Sequence, residues 1–115
     1  MKNTELSPEE AKIIVEIETA RQHYKKSKYD KTIEVCENFL NRKLIDEHPL
    51  KNRDVLLAKV YNLRGLACLE KGTDLGYSEA EWDFKKALEL DPHHPEALKN
   101  LKAAEAKKAD LAKQH

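Results

Sequence analysis

Glycine, proline, cysteine and aromatic residues are all scarce in this chain, and it carries no net charge. Only three of its 115 residues are glycine, and they form no phosphate-cradling loop. No apolar run approaches the roughly 20 residues that a membrane-spanning helix needs. The longest run near the start is Ile13-Ile14-Val15, and the opening MKNTELSPEEAK has no apolar signal core. A soluble, cytoplasmic protein is therefore expected. Lys and Arg number 21, as do Asp and Glu, so nothing global steers the chain to nucleic acid or an anionic membrane. The two cysteines, Cys36 and Cys68, fall on apolar stripes. They read as reduced core thiols, since buried cysteine behaves as a small hydrophobe.

What is present is charge and helix formers. Charged residues make up 37% of the chain, and Ala, Leu, Glu and Lys dominate, which is the composition of an all-α protein. At 115 residues it is one domain by size. Such a domain can bury roughly two-thirds of its unfolded surface, enough for a core without staples.

The organising stretch is 57–92. Leu57, Val60, Tyr61, Gly65, Cys68 and Leu69 recur at three- and four-residue steps, one apolar stripe on a helix. Gly72 and Gly76 bracket a turn. Ser78 with Glu81 three residues on is a helix-start signal, each side chain able to satisfy the other's free backbone N–H. The following helix carries Ala80, Phe84, Ala87 and Leu88 and stops before Pro92. Gly65 and Ala80 let two backbones approach, with Phe84 filling the space beyond.

Gly65, Ala80-x3-Phe84, Ala87-Leu88 and Asp91-Pro92 resemble the tetratricopeptide repeat, whose pattern is a small residue on the first helix, Ala-x3-Phe on the second and a closing Pro. Tyr61 stands at the family's Trp position and Cys68 at its helix-one aromatic. Trp82 lies between core positions and is expected to be partly exposed. Gly65 to Ala80 is three residues longer than the family pattern, which predicts a bulged turn at 73–76.

An internal repeat extends the resemblance. Tyr29-x2-Thr32-x3-Cys36-x2-Phe39-Leu40 matches Tyr77-x2-Ala80-x3-Phe84-x2-Ala87-Leu88 at a constant offset across five positions. Cys36 for Phe and Phe39 for Ala move core volume down one turn, which a core accepts if the total is kept. Upstream, Ser7, Pro8 and Glu10 suit an N-cap, a first helical position and a capping box. Ile13, Ile17, Ala20 and Tyr24 form the stripe of that first helix, widened by Ile14 and Val15.

The expected architecture is thus a right-handed α-α superhelix of two helix hairpins plus a C-terminal capping helix, five helices in all. Residues 1–7 are a flexible N-terminus and 8–104 a single domain. Within it lie repeat 1 at 8–43, a connection at 44–52, repeat 2 at 53–92 and a capping helix at 95–104. Ala97, Leu98, Leu101 and Ala104 do the covering, as a terminal unit requires. Residues 105–115 form a charged helical tail.

The resemblance also implies where function lies. In tetratricopeptide repeats the first helices of each pair line a groove for peptides. Carried over, that groove holds Ile14, Ile17, Arg21 and Tyr24 from the first helix and Lys59, Asn62, Leu66 and Leu69 from the third. Glu96, Lys99 or Ala103 come from the cap. Some members clamp the C-terminal carboxylate of Hsp70 and Hsp90. At the clamp positions this chain offers Ile17, Arg21, Leu63 and either Glu96 with Asn100 or Ala97 with Leu101, so no such clamp is expected.

Other constellations read as structural. His93 and His94, with His48 and His115, lack a partner set with metal-ligand spacing and stand as polar loop residues. No nucleophile has an oriented base, so no enzymatic activity, cofactor or metal is expected. The basic-aromatic run 24–31, with Lys25 through Lys31 and Tyr24 and Tyr29, could track RNA. Tyr24 and Tyr29 instead fall on core stripes. The expectation is a protein or peptide partner held in the groove, by a monomer or a homodimer. Self-association through the apolar face of the first helix is the alternative, and RNA binding a third reading.

Overall fold

The computed structural model describes residues 8–41 and 53–114. Within them are five helices and no strand: α1 (Pro8–Lys25), α2 (Tyr29–Asn41), α3 (Arg53–Lys71), α4 (Asp74–Leu90) and α5 (Ala97–Lys113). Each helix packs on the next, and α3 also touches α1 and α5. Pro8 stands at the first helical position, as its fixed φ favours. The expected Ser7 cap, the flexible 1–7 and the connection 44–52 lie outside the described residues.

Two different endings turn the helices back. Ser27 takes the left-handed conformation (φ 61°) after α1. Its N–H donates to Tyr24 O (2.9 Å) and that of Lys28 to His23 O (2.9 Å), the paired bonds of a Schellman ending. Gly72 (φ 71°) does the same work after α3, at no steric cost.

The second hairpin departs from the expectation. No bulge forms at 73–76, and α4 does not start at Ser78. Thr73 is the N-cap, its Oγ1 accepting from the Gly76 N–H at 2.9 Å. The three additional residues, Asp74 to Gly76, form an extra helical turn. Gly76 allows it, because a Cβ there would lie 2.8 Å from the Cys68 carbonyl oxygen. Glu81 is therefore not part of a cap. Its carboxylate meets Lys108 of α5 at 2.6 Å and Lys85 at 3.6 Å.

The internal repeat has a matching burial pattern. Thr32, Cys36 and Phe39 are the buried residues of α2, and their counterparts Ala80, Phe84 and Ala87 are buried in α4. The chemistry of the two cores differs. Between α1, α2 and α3 the filling is bulky: Ile13, Ile17, Phe39, Leu56, Val60 and Leu63, with Ala20 and Cys36. Between α3, α4 and α5 it is Phe84 among small residues, with Ala58, Ala80, Ala87, Ala97 and Ala104 fully buried. Ile14 (40% exposed) and Val15 (64%) do not widen the buried stripe, because the contacts of α1 with α2 and α3 cover only the Ile13–Ile17–Ala20 side. Leu98 is likewise exposed (51%), and alanines 97 and 104 do the covering with Leu101. The helix expected at 95–104 starts at Ala97 and continues without a break to Lys113, where a separate tail from 105 was expected.

The helix-periodicity stripe on α3 understates its burial. Leu56, Ala58, Asn62, Leu63 and Ala67 are buried as well as Val60, Gly65 and Cys68. A helix with partners on every side loses its polar face. Its Arg64 is paired inside the protein. Arg64 donates from Nε to Asp83 Oδ2 (3.0 Å) and from Nη2 to Asp83 Oδ1 (2.8 Å), and its Nη1 lies 3.8 Å from Glu37 on α2. Asp83 is fully buried. Burial pushes its carboxyl above the ordinary range, and the Arg64 guanidinium draws it part of the way back. Burial works hardest against the Arg64 charge, but the hydrogen bonds to Asp83 together with the negative charges of Asp83, Glu79 and Glu37 outweigh it and hold the guanidinium protonated. The guanidinium also sits 5.7 Å over the Tyr61 ring, which meets the half-exposed Trp82 edge-on at 5.8 Å.

Two stability predictions follow from this packing. A Cβ on Gly65 would lie 2.6 Å from Phe84 Cε1, inside a fully buried ring. Gly65→Ala is expected to cost about 1–3 kcal/mol by overpacking, against the roughly 1 kcal/mol that alanine gains in helix propensity. Urea denaturation measures it, and a stabilised variant would show that the helices can part freely. Removing one member of the buried pair, as in Asp83→Leu, is expected to cost about 3–5 kcal/mol because it strands Arg64. The double change Asp83→Leu with Arg64→Met should restore most of that loss. A double variant no better than the single would mean the pair is not the source of the effect.

Candidate functional site

One open depression of about 420 Å³ lies between α1, α3 and the α4–α5 link. Six of the eight expected groove residues line it: Ile17, Arg21 and Tyr24 from α1, with Lys59, Asn62 and Leu66 from α3. Helical spacing explains the gathering. Ile17, Arg21 and Tyr24 are four and three residues apart, and so are Lys59, Asn62 and Leu66 at three and four, so each set forms one face. Ile14 is one turn before Ile17 on the same face but exposed and outside the depression. Leu69 is also outside it, packed against Cys68, Ala80 and Phe84. Of the expected cap residues, Glu96 lines the depression and Lys99 and Ala103 do not.

Sequence reasoning missed part of the lining. Lys25 extends the α1 wall, and Leu63 belongs to both the core and the groove floor. Asp91, His94 and Pro95 come from the link between α4 and α5. The floor is thus apolar, from Ile17, Leu63 and Leu66, with Tyr24 at one end. Burial raises the Tyr24 hydroxyl above its ordinary pKa, with the nearby Glu70 and Tyr29 adding to it, so it stays a neutral donor. Arg21, Lys25 and Lys59 are exposed along the α1–α3 side, and Asp91 and Glu96 stand on the link.

The link wall is held in place by polar contacts. His94 is buried, and its Nδ1 accepts from the backbone N–H of Glu96 (3.3 Å) and of Ala97 (3.2 Å). It does for α5 what a Ser or Asp N-cap does elsewhere. Glu96, which precedes the helix, makes no side-chain cap of its own. The His94 tautomer follows: Nδ1 carries no proton. Buried Asn62 accepts at Oδ1 from Asn100 Nδ2 (2.9 Å) and donates from Nδ2 to Glu96 Oε1 at a long 3.5 Å. The signal for the cap was the position of His94 just before a helix, although histidine is not a usual capping residue.

Neither cysteine lines the depression. Burial pushes the Cys36 thiol up to about 12 and the Cys68 thiol up to about 11, and both sit in the core as free thiols. Among the described residues no cluster of three or more His, Cys, Asp or Glu side chains is placed to hold a metal ion, and no helix is long and apolar enough to cross a membrane. The Tyr24 and Tyr29 rings pack at a 57° tilt, with centroids 5.7 Å apart. Lys31 lies 3.7 Å from Glu34. No family model matches the chain, and neither the curated proteins nor the solved structures provide a match.

The cap yields a prediction with its own control. His94→Ala should destabilise the fold by about 1 kcal/mol through the lost cap. His94→Asn, which can accept from the same two N–H groups, should recover much of it. Thermal melts of the three proteins compare them, and an Asn variant as unstable as Ala would assign the effect to lost packing alone.

Proposed function

We propose that this chain is a non-catalytic protein-interaction module, an adaptor or scaffold of the tetratricopeptide-repeat type, that holds a peptide or helix of a partner in the groove between α1 and α3. The observation that carries this reading is the apolar-floored depression of about 420 Å³, lined by Ile17, Leu63 and Leu66 and rimmed by charge. Open grooves of this kind receive apolar anchors of a partner segment while polar rims set its orientation. The repeated burial pattern of α2 and α4 supports the repeat assignment and with it a right-handed superhelical course. A reducing, cytoplasmic setting suits two buried free thiols.

A second reading has its own observation. Ile14 and Val15 are exposed on α1, next to the groove face, and could join two copies of the chain. RNA binding through 25–31 gains no such support, because its one aromatic ring, Tyr29, is packed against Tyr24.

Leu66→Asp places a carboxylate on the groove floor at a half-buried position and separates the readings. The wild type is expected to run as a concentration-independent monomer by light scattering and to retain a partner that Leu66→Asp loses while its circular dichroism is unchanged. A mass that rises with concentration and falls with Ile14→Asp would favour self-association. A partner retained equally by Leu66→Asp would move the binding site off the groove.

A further inference from the structure

The charges lining the groove are not satisfied equally. Among the described residues Arg21 has one ion pair, a 3.8 Å contact with Glu18 in which both side chains are more than half exposed, the kind of pair that contributes little. Lys25 and Lys59 make no ion pair among the described residues. The two acids on the opposite wall have only long contacts with neutral donors: Asp91 Oδ1 accepts from the His93 N–H at 3.3 Å, and Glu96 Oε1 from Asn62 Nδ2 at 3.5 Å. Elsewhere the fold seats cations closely, with Lys71 on Asp30 and Lys108 on Glu81, each at 2.6 Å. The lining thus sets three exposed cations on the α1–α3 side opposite two carboxylates, which keep their charge, on the link wall.

We propose that the occupant of the groove is an acidic peptide of a partner protein, with an aliphatic or aromatic anchor on Ile17, Leu63 and Leu66 and Asp or Glu side chains against Arg21, Lys25 and Lys59. This rests on the groove being a binding site at all. Two features favour a peptide over a nucleic acid. The floor is aliphatic and offers bases no stacking platform, and the adjacent Tyr24 ring is already against Tyr29. Three cations beside an apolar floor select a segment that alternates acid and anchor, not a continuous polyanion. A basic segment would meet like charge along the α1–α3 side. Because the cations are exposed, their pairs should set association rate and specificity, while the anchor sets residence time.

The test is selection of short random peptides displayed on phage against the full-length chain, followed by anisotropy titration of the enriched sequences. Enriched peptides are expected to combine an anchor with Asp or Glu. Lys59→Glu and Arg21→Glu, both at exposed positions, should weaken them about tenfold or more and shift preference toward peptides bearing Lys in place of the acids. Affinity should fall several-fold between low and physiological salt, far short of the ~1,000-fold or greater fall typical of multi-phosphate binding. Enrichment of neutral or basic peptides, or indifference to the charge reversals, overturns the acidic assignment and leaves the groove reading standing. Failure to enrich any peptide that Leu66→Asp loses overturns the groove reading itself. An oligouridylate that binds more tightly than every enriched peptide, or a dimer that Leu66→Asp dissociates, overturns the proposal in favour of RNA or of a second copy.

Discussion

The close approach of α4 to α3 at Gly65 is the constraint on which the rest of the structure depends. Phe84 fills the space that a side chain at 65 would occupy, and this fixes both the separation and the register of the two helices. Register then decides the electrostatics. Asp83 precedes Phe84, so seating the ring brings the carboxylate into the protein, where Arg64, the neighbour of Gly65, meets it with two hydrogen bonds. The same guanidinium lies near Glu37 and over Tyr61. One steric contact thus sets a buried ion pair that ties α2, α3 and α4 together. Such a pair adds little net stability over an apolar replacement, but a shifted register would leave both charges buried and unpaired, so it disfavours that alternative strongly.

The two halves of the core solve different packing problems. Around α1 and α2, bulky Ile, Leu and Phe residues hold the helices together by burial. Around α4 and α5, alanines let the backbones come close, and contact area replaces side-chain volume. α3 serves both halves and is buried nearly all round. Lys59, Asn62 and Leu66, which share one of its faces, form the groove wall. Leu63 is shared between the core and the groove floor, so the floor cannot move without disturbing the packing beneath it.

Much of this was legible in the residues. The helices, the Gly65–Phe84 approach and the constant offset between 29–40 and 77–88 all follow from periodicity, which records one buried face per helix. Features that depend on a second element were not. Thr73 and Ser78 are both plausible caps, and only the room made by Gly76 against the Cys68 carbonyl lets the helix begin at the earlier one. Ile14 and Val15 extend an apolar stripe in sequence, but among the described residues they stay exposed on α1. Arg64 and Asp83 look like ordinary surface charges on amphipathic helices, because their burial comes from the meeting of three helices. His94 reads as a loop residue until the N–H groups of Glu96 and Ala97 are seen to point at its ring. Six of eight groove residues were legible because they share helix faces. The link wall was not, because a turn has no period.

That wall makes the groove depend on α5. The α4–α5 link stands where it does because His94 caps α5 and Asn100 bonds to Asn62 across the wall. α5 in turn is docked by Ala97 and Ala104 and by the pair of Lys108 with Glu81. This last contact lies in the segment beyond 104, which in sequence alone looks like a solvated charged tail. Lysine there does not merely keep the helix soluble. It joins the outer turns of α5 to Glu81 of α4, seven residues after Asp74, where the helix capped by Thr73 begins. An open groove between α1 and α3 therefore draws its third wall from packing that begins well outside the groove.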